Sequence, residues 1–261
     1  RQLYRGFEVG TGKPSLPLPI PHHLFDEDPM TQITVSEWRE KALVCIRRIV
    51  SRGGLPILVG GTGLYFQALI DNLLIPKVPP QTELREELSR LSLGELVDRL
   101  RATDPAAATV VDLKNPRRVI RALEVVLMTG QSYVDTRQKG PLLVDALQIG
   151  IERTREELYT RAETAIDEML SRGWVREVRG LLARGFSQES PAMSAIGYRE
   201  LVDVVEGGLT LDEVVPSIKQ ATRNYIKRQI TWFKRDGRIE WVKNVDMAVD
   251  RVRGWMKQNC P

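Results

Sequence analysis

The pattern of apolar and polar residues predicts a mainly helical chain whose helices begin at recognisable capping pairs. Thr34 and Glu37 have the spacing of a capping box ahead of helical periodicity that continues to Val50. The same spacing recurs ahead of three more periodic segments, at Ser92/Glu95, Thr154/Glu157 and Thr210/Glu213. Asn115-Pro116 predicts a further helix start, with Gly130 as its end.

Short apolar runs between these helices predict strands. Leu55–Val59 is branched, apolar and followed by Gly60-Gly61, which is typical of a buried parallel strand. The segments 143–151 and 239–242 predict two more strands. Strands separated by helices indicate an α/β fold with a mostly parallel sheet, and such folds bind ligands beyond the carboxyl ends of their strands.

Arginine-rich helical patterns follow the turn at Pro76–Pro80 and predict an inserted helical domain. The predicted division is a core in residues 1–75, the helical insertion in 76–139 and the rest of the core in 140–261.

Composition restricts the class of protein. Of the 261 residues, 42% are hydrophobic and 28% are charged, and no apolar run approaches the roughly 20 residues of a membrane span. Cys45 and Cys260 have no metal-binding or disulfide-framework spacing. We expect a soluble, monomeric, cytoplasmic protein that is not bound to a membrane.

The loop Gly60-Gly61-Thr62 is the first candidate for chemistry. The glycines let backbone approach a ligand, and the Thr62 hydroxyl can bind an anion or a base edge. A tight turn with Thr62 as a helix N-cap explains the same residues equally well.

Two other motifs are misleading. Gly12-Lys13 is similar to the end of a phosphate-binding loop, but Pro14 replaces the Ser or Thr and Phe7 replaces the first glycine. Adjacent residues of an extended chain, such as His22 and His23, point to opposite sides, so we expect no metal ligands there.

Basic residues cluster between residues 219 and 238, against the single acid Asp236. Lys219, Arg223 and Lys227 repeat every four residues, which predicts one cationic helix face able to attract phosphate. The interleaved aromatic residues are expected to be mainly core, with base stacking as the alternative: Tyr225, Trp232 and Phe233.

Six blocks in order make the sequence recognisable: RQLYRGFEVGTGKP, PHHLFD, ILVGGTGLYFQAL, NPRRVIRALEV, SAIGYRE and TRNYIKRQITWFKRD. Together they resemble the tRNA dimethylallyltransferase family over nearly the whole chain. The resemblance implies a P-loop NTPase-like core with a helical tRNA-binding insertion. It also implies transfer of a dimethylallyl group from dimethylallyl diphosphate to N6 of the adenosine 3′ of the tRNA anticodon, with Mg²⁺ assisting.

Site residues follow from the resemblance by position. It implies catalytic roles for Thr62 and Arg223, and donor-diphosphate contacts for Gly60, Gly61, Arg155 and Arg161. It implies tRNA contacts for Arg1, Gln2, Arg85, Arg117, Arg118, Val119, Ile120, Arg121, Ser194, Ala195, Ile196, Gly197, Tyr198, Arg199, Lys227 and Arg228.

The chain also departs from the family pattern. In the family a P-loop, the first strand and a catalytic aspartate precede the segment that begins here with Arg1, so we expect an inactive fragment of an active enzyme. Members usually carry a second arginine one turn after Arg161, where this chain has Thr164-Ala165.

Two other functions remain open. An adenylate prenyltransferase acting on free nucleotides would use the same chemistry, although the arginine-rich insertion favours tRNA. A non-catalytic RNA-binding protein would keep the basic surfaces and lose the diphosphate site.

Overall fold

The computed structural model describes residues 2–15, 18–25, 27–31, 33–76 and 78–259. The chain forms two compact units, one from residues 33–57 and 64–145 and the other from 1–32, 58–63 and 146–261. Among the residues described, no helix has both the length and the hydropathy needed to cross a membrane.

The unit of residues 33–57 and 64–145 is built from helices. They are α1 (Val35–Val50), α2 (Gly63–Ile70), α3 (Thr82–Ser89), α4 (Leu93–Thr103), α5 (Pro105–Val110), α6 (Pro116–Thr129) and a short 3-10 helix, Asp135–Arg137. Leu88, Leu96, Leu100, Val119 and Leu123 form the centre of the core between α3, α4 and α6. The segment predicted as a helical insertion, 76–139, lies within this unit, and its bounds as a separate domain stay a prediction.

The capping boxes predicted at Thr34, Ser92 and Thr154 are present. The Thr34 hydroxyl accepts a hydrogen bond from the Glu37 N–H at 3.2 Å, and the Glu37 carboxylate accepts one from the Thr34 N–H at 2.7 Å. These bonds satisfy N–H groups that have no partner within the helix. α6 begins after Asn115 and ends before Gly130, the predicted stop, whose φ of 68° gives the helix a left-handed cap.

The other unit contains helices and a small sheet. Its elements are β1 (Gln148–Ile151), α7 (Arg155–Ser171), α8 (Trp174–Ala183), α9 (Tyr198–Val205), α10 (Leu211–Phe233), β2 (Ile239–Val242) and α11 (Val245–Asn259). β1 and β2 pair in parallel, with Gln148 opposite Ile239 and Ile151 opposite Val242. An α/β fold with a small parallel sheet is thereby confirmed, whereas the P-loop NTPase-like core stays a prediction.

The strand predicted at Leu55–Val59 is wrong for this structure. These residues are extended but belong to no ladder in the described chain, and the Ile57 and Val59 side chains are 72% and 86% exposed. An extended segment becomes a strand only where a second strand completes its backbone hydrogen bonds. The residues 55–59 by themselves do not show whether such a partner strand exists. The strand predicted from Leu143 is also too long, since β1 begins at Gln148.

The N-terminal loop is held by a buried lysine. The Lys13 ammonium donates to the Tyr4 carbonyl at 3.0 Å, the Phe25 carbonyl at 2.6 Å and the Glu8 carboxylate at 3.1 Å. This lysine is 6% exposed, because all its bonds are made inside the loop. Lys13 therefore stabilises the loop here.

Candidate functional site

The loop Gly60–Thr62 is attached to one face of α10. The Gly61 carbonyl accepts hydrogen bonds from the Gln229 side-chain amide at 2.8 Å and from the Tyr225 hydroxyl at 3.3 Å. Tyr225 and Gln229 are one helical turn apart, so they meet the loop side by side. The structure thus brings Gly61 and Thr62 to the basic helix.

Close packing explains why glycine occupies position 61. A Cβ atom there would lie 2.1 Å from the Gln229 Nε2, and one at Gly63 would lie 2.0 Å from the Trp232 ring. Both distances are far shorter than van der Waals contact, so a larger residue requires either the loop or the facing Gln229 or Trp232 side chain to move.

Thr62 is exposed on this loop. Its hydroxyl lies 3.5 Å from the Tyr225 hydroxyl, its one hydrogen-bond partner in the part of the chain described. The helix-cap interpretation therefore has no supporting bond, and the hydroxyl is accessible to a ligand. Arg228 lies over the Tyr225 ring at 5.7 Å, which places a cation next to this aromatic ring.

The aromatic residues of α10 are less buried than the core interpretation predicted. Trp232 is 40% exposed, and Tyr225 and Phe233 are half-buried, whereas Val214, Ile218 and Ile226 form the buried face. Two of them meet the loop segment, Tyr225 at Gly61 and Trp232 at Gly63.

Arg223 is held by an acidic residue of α7. Its guanidinium donates to the Glu163 carboxylate, from Nε at 2.6 Å and from Nη2, and lies 5.7 Å from the Tyr159 ring centroid. One turn earlier, Lys219 pairs with Asp167 at 2.8 Å. The predicted cationic face is therefore partly neutralised, and exposed Lys227 is its member without a described acidic partner.

Arg155 and Arg161 lie on the first two turns of α7 and are exposed, as is Gly60. No described contact joins either arginine to the glycine-rich loop. Their assignment to the donor diphosphate stays a prediction.

In the helical unit, two predicted RNA contacts share one carboxylate. Arg85 and Arg121 both bind Glu124, which is fully buried. Arg117 and Arg118 are exposed at the start of α6, and Arg118 pairs with Asp112 at 3.2 Å. Val119 is fully buried and Ile120 half-buried, so the Val119 side chain offers no surface to a ligand.

Residues 194–199 lie between a 3-10 turn and α9. Ser194 and Arg199 are exposed and Ala195 and Ile196 half-buried, but Tyr198 is fully buried. Gly197 has a φ of 87°, and a Cβ atom there would lie 2.0 Å from the Trp174 ring. Its backbone approaches a tryptophan, which explains the glycine without a ligand.

The sequence patterns did not identify two carboxylates that accept several hydrogen bonds, half-buried Glu177 and fully buried Glu124. Glu177 of α8 accepts hydrogen bonds from three consecutive backbone N–H groups, of Glu8, Val9 and Gly10, at 2.7 to 3.1 Å. Glu124 is the other. A sequence signal existed for Glu124, because a glutamate within an otherwise buried helix face needs cationic partners. None existed for Glu177.

At the amino end, Gln2 donates to the carbonyls of Thr11 at 3.0 Å and Gly12 at 3.2 Å. Arg1 lies outside the described residues. A role for either in binding RNA stays a prediction.

Among the residues that the structure describes, the side chains do not provide a magnesium cage. Mg²⁺ prefers octahedral oxygen ligands, often one or two carboxylates together with phosphate oxygens. The described residues contain no group of three or more His, Cys, Asp or Glu side chains that could hold a metal.

Comparison with known proteins identifies the family. Residues 2–236 match the family described as IPP transferase. The chain belongs to the IPP transferase family. Within it, the chain is 41% identical over 251 residues to a protein of Geobacter sulfurreducens named tRNA dimethylallyltransferase, covering 93% of this chain and 81% of the relative. It is 40% identical over 250 residues to the protein of that name from Thermomicrobium roseum, which covers 92% of this chain and 75% of the relative.

Solved structures of IPP transferases have the same fold. The tRNA delta(2)-isopentenylpyrophosphate transferase of Staphylococcus epidermidis has a TM-score of 0.66 and 32% identity, over 98% of this chain and 88% of that chain. A eukaryotic dimethylallyltransferase described as acting on tRNA has a TM-score of 0.73 and 25% identity, and the match covers 95% of this chain and 66% of that chain. These matches confirm the family resemblance of the sequence. The assigned roles of individual residues stay predictions.

Proposed function

We propose that this chain transfers a dimethylallyl group from dimethylallyl diphosphate to N6 of the adenosine 3′ of the anticodon in tRNA. The observation that carries the proposal is membership of the IPP transferase family over residues 2–236. The relatives named tRNA dimethylallyltransferase match along almost all of this chain, so the proposal does not depend on one short motif.

The reaction defines what the site must do. The N6 nitrogen forms a bond to C1 of the dimethylallyl group, the C1–O bond to diphosphate breaks, and the N6 proton passes to a base. An adenine amine is a weak nucleophile because its lone pair is delocalised into the ring, so stabilising the departing diphosphate contributes strongly. The adenine must also leave its stack, at a cost of a few kcal/mol.

The loop held against α10 suits the acceptor adenine. The exposed Thr62 hydroxyl can hydrogen-bond a base edge, and Tyr225 and Trp232 provide neighbouring aromatic surface. Arg223 supports diphosphate binding, since a guanidinium binds phosphate through paired hydrogen bonds. In this role Arg223 exchanges part of its bonding to Glu163 for the ligand.

The test is transfer of labelled dimethylallyl diphosphate to an anticodon stem-loop RNA. A matched stem-loop with guanosine at the target position controls for specificity, and free adenylate tests the other acceptor class. The chain is assayed alone and extended at its amino end by a family P-loop and aspartate segment. We expect label on the adenosine RNA only.

Each other outcome favours another function. Transfer to adenylate in preference to RNA would indicate an adenylate prenyltransferase. RNA binding without transfer by either chain would indicate a non-catalytic RNA-binding protein, whose affinity should fall steeply with salt as counterions are released. A chain that folds but binds neither RNA nor donor would overturn the proposal. Cytoplasmic location stays a prediction from the cysteine content.

A further inference from the structure

Glu124 is an acidic side chain enclosed among helices. It lies on α6 between Leu123 and Val125, and all three residues are 0% exposed. A carboxylate without partners in such a place costs several kcal/mol, so its partners determine whether the helix packs. The adjacent residues are apolar, which makes the polar contacts of Glu124 a specific feature of this unit.

Four hydrogen bonds satisfy this carboxylate. Arg85 of α3 donates from Nε at 2.7 Å and from Nη2 at 2.8 Å, and the Gln81 backbone N–H donates at 2.7 Å. Arg121, one turn before Glu124, donates from Nη1 and also binds the Val78 carbonyl through Nη2 at 3.1 Å. We call Gln81, Arg85, Arg121 and Glu124 the Glu124 cluster.

The cluster leaves cationic groups available. Arg85 and Arg121 together carry two positive charges against one negative, and their side chains are 38% and 28% exposed. A guanidinium has five N–H groups, and each arginine uses two of them in the bonds described. Three N–H groups on each arginine therefore have no acceptor within the described chain.

We propose that Glu124 is a positioning residue that holds Arg85 and Arg121 together as a preformed site for backbone phosphates of the RNA acceptor. The inference rests on the proposed function, because it takes RNA as the ligand. A guanidinium presents a rigid planar fork that matches phosphate, and fixing two such forks in advance removes the entropy cost of ordering them on binding. Glu124 itself contacts no RNA.

Charge and position predict opposite effects of removing the acid. Glu124→Gln removes one negative charge, so the net charge of the cluster becomes more positive by one. Simple attraction to phosphate would then strengthen RNA binding. Loss of the bonds from Arg85 and Arg121 to the carboxylate leaves both guanidinium groups unordered, which would weaken RNA binding. The sign of the change in affinity therefore distinguishes the two effects.

The experiment measures the dissociation constant of the anticodon stem-loop for the full chain, Glu124→Gln and Glu87→Gln. Glu87 is a matched control on the same helix as Arg85, with an exposed carboxylate paired to Arg99 at 3.2 Å. We expect Glu124→Gln to bind about tenfold more weakly. Glu87→Gln should bind with unchanged or slightly increased affinity. Equal or tighter binding by folded Glu124→Gln would overturn the inference.

A second measurement covers a Glu124→Gln chain that fails to fold. Arg85→Lys and Arg121→Lys keep the charge and remove the planar fork. We expect each to weaken RNA binding, and the double variant to lose less than the product of the single losses, because either change already breaks the shared arrangement. Independent, multiplicative effects would overturn the inference.

Nuclear magnetic resonance of the arginine Nε–H groups separates this inference from the proposed function. A protected Arg85 Nε–H that loses protection in Glu124→Gln or Arg121→Lys would confirm the cluster in solution. If the cluster is present and the unaltered chain binds no RNA, both the proposed function and the positioning role fail. If the unaltered chain binds RNA and the variants bind equally well, only the positioning role fails.

Discussion

The Tyr198 hydroxyl donates a hydrogen bond to the Glu177 carboxylate at 2.6 Å. Because the same carboxylate accepts the backbone N–H groups of Glu8, Val9 and Gly10, it joins the N-terminal loop to the start of α9. Burial and the nearby Glu177 charge raise the pKa of Tyr198 far above its ordinary value. Tyr198 thus stays a neutral donor at any pH the protein meets.

Replacing Glu177 should loosen the N-terminal loop. Glu177→Gln keeps one acceptor oxygen and turns an amide N–H₂ toward groups that also donate, so we expect the free energy of unfolding to fall by about 2 to 3 kcal/mol. Urea denaturation measures it. Glu206→Gln, at an exposed position of the same unit, is the control and should change stability by less than about 0.5 kcal/mol. Equal stability of both variants would contradict the structural role of Glu177.

Tyr198→Phe tests whether Tyr198 acts in the core or on RNA. The ring is fully buried beside Phe7 and Trp174, so we expect a loss of about 1 kcal/mol from the missing hydrogen bond and no change in RNA affinity. Denaturation and stem-loop binding are measured on the same preparation. Weaker RNA binding at unchanged stability would instead support the contact that the family resemblance implies.

Gly61→Ala should displace the loop that carries Thr62. The new Cβ atom would meet the Gln229 side chain, so we expect prenyl transfer to fall at least about tenfold while the chain stays folded. Adding Gln229→Ala removes the obstructing atoms and should restore part of the activity. Gly237→Ala, where no atom lies within 4 Å of the added Cβ, is the control. Full activity of Gly61→Ala would exclude this loop from the site.

Arg223→Ala should weaken binding of the donor or of RNA by about 1 to 3 kcal/mol if its guanidinium bonds to phosphate. Lys219→Ala is the matched control, because Lys219 is also paired with an acid of α7, one turn away. Titration calorimetry with each ligand measures the difference. Equal losses in both variants would indicate general attraction to charge, and no loss in either would remove Arg223 from the site.

Asp104 should make the helical unit sensitive to acid. Burial raises the pKa of this carboxyl, but hydrogen bonds from the Ala107 and Tyr133 N–H groups and the Ser132 hydroxyl outweigh burial and hold the pKa below its usual value of about 4. A lowered folded-state pKa stabilises the protein at neutral pH, and this stability is lost as pH falls through that pKa.

The measurement compares the original chain with Asp104→Asn from pH 7 down to about pH 2. We expect Asp104→Asn to be less stable by about 2 kcal/mol at pH 7, and the difference to shrink as pH falls below about 4. Asp98→Asn, at an exposed position of the same unit, should show little difference at any pH. If the two chains differ in stability by the same amount at every pH, the charge of Asp104 is not what stabilises the protein.

Local signals predicted the helices because the groups that form them are close in sequence. Thr34 with Glu37 and Asn115 with Gly130 fixed helix ends to within one residue, since caps involve neighbours a few positions apart. The strand predicted at Leu55–Val59 was wrong for the opposite reason. Its apolar, branched residues satisfy the preference for a strand, but strand pairing depends on distant residues that the run itself does not specify.

Site residues divide in the same way. The loop at Gly61 was found because two glycines follow an apolar run, but its attachment to Gln229 lies 168 positions away and had no local sign. The ion pairs of Lys219 and Arg223 were also missed, because a charge pattern on α10 does not reveal the acids that α7 places opposite. Periodicity identifies which residues share a helix face, and tertiary packing decides which of them remain available.

The bonds of Glu177 also bear on the order of events during protein synthesis. The ribosome makes the N-terminal loop well before its partners: the Glu177 carboxylate is added 167 to 169 residues later, and the Tyr198 hydroxyl that bonds to that carboxylate is added about 190 residues after the loop. The helices between residues 82 and 129 contact partners nearby in sequence and can pack while the chain is still growing. A nascent chain therefore carries a loop with unsatisfied N–H groups while the helices between residues 82 and 129 can already pack, and the loop is completed only after Glu177 has been made.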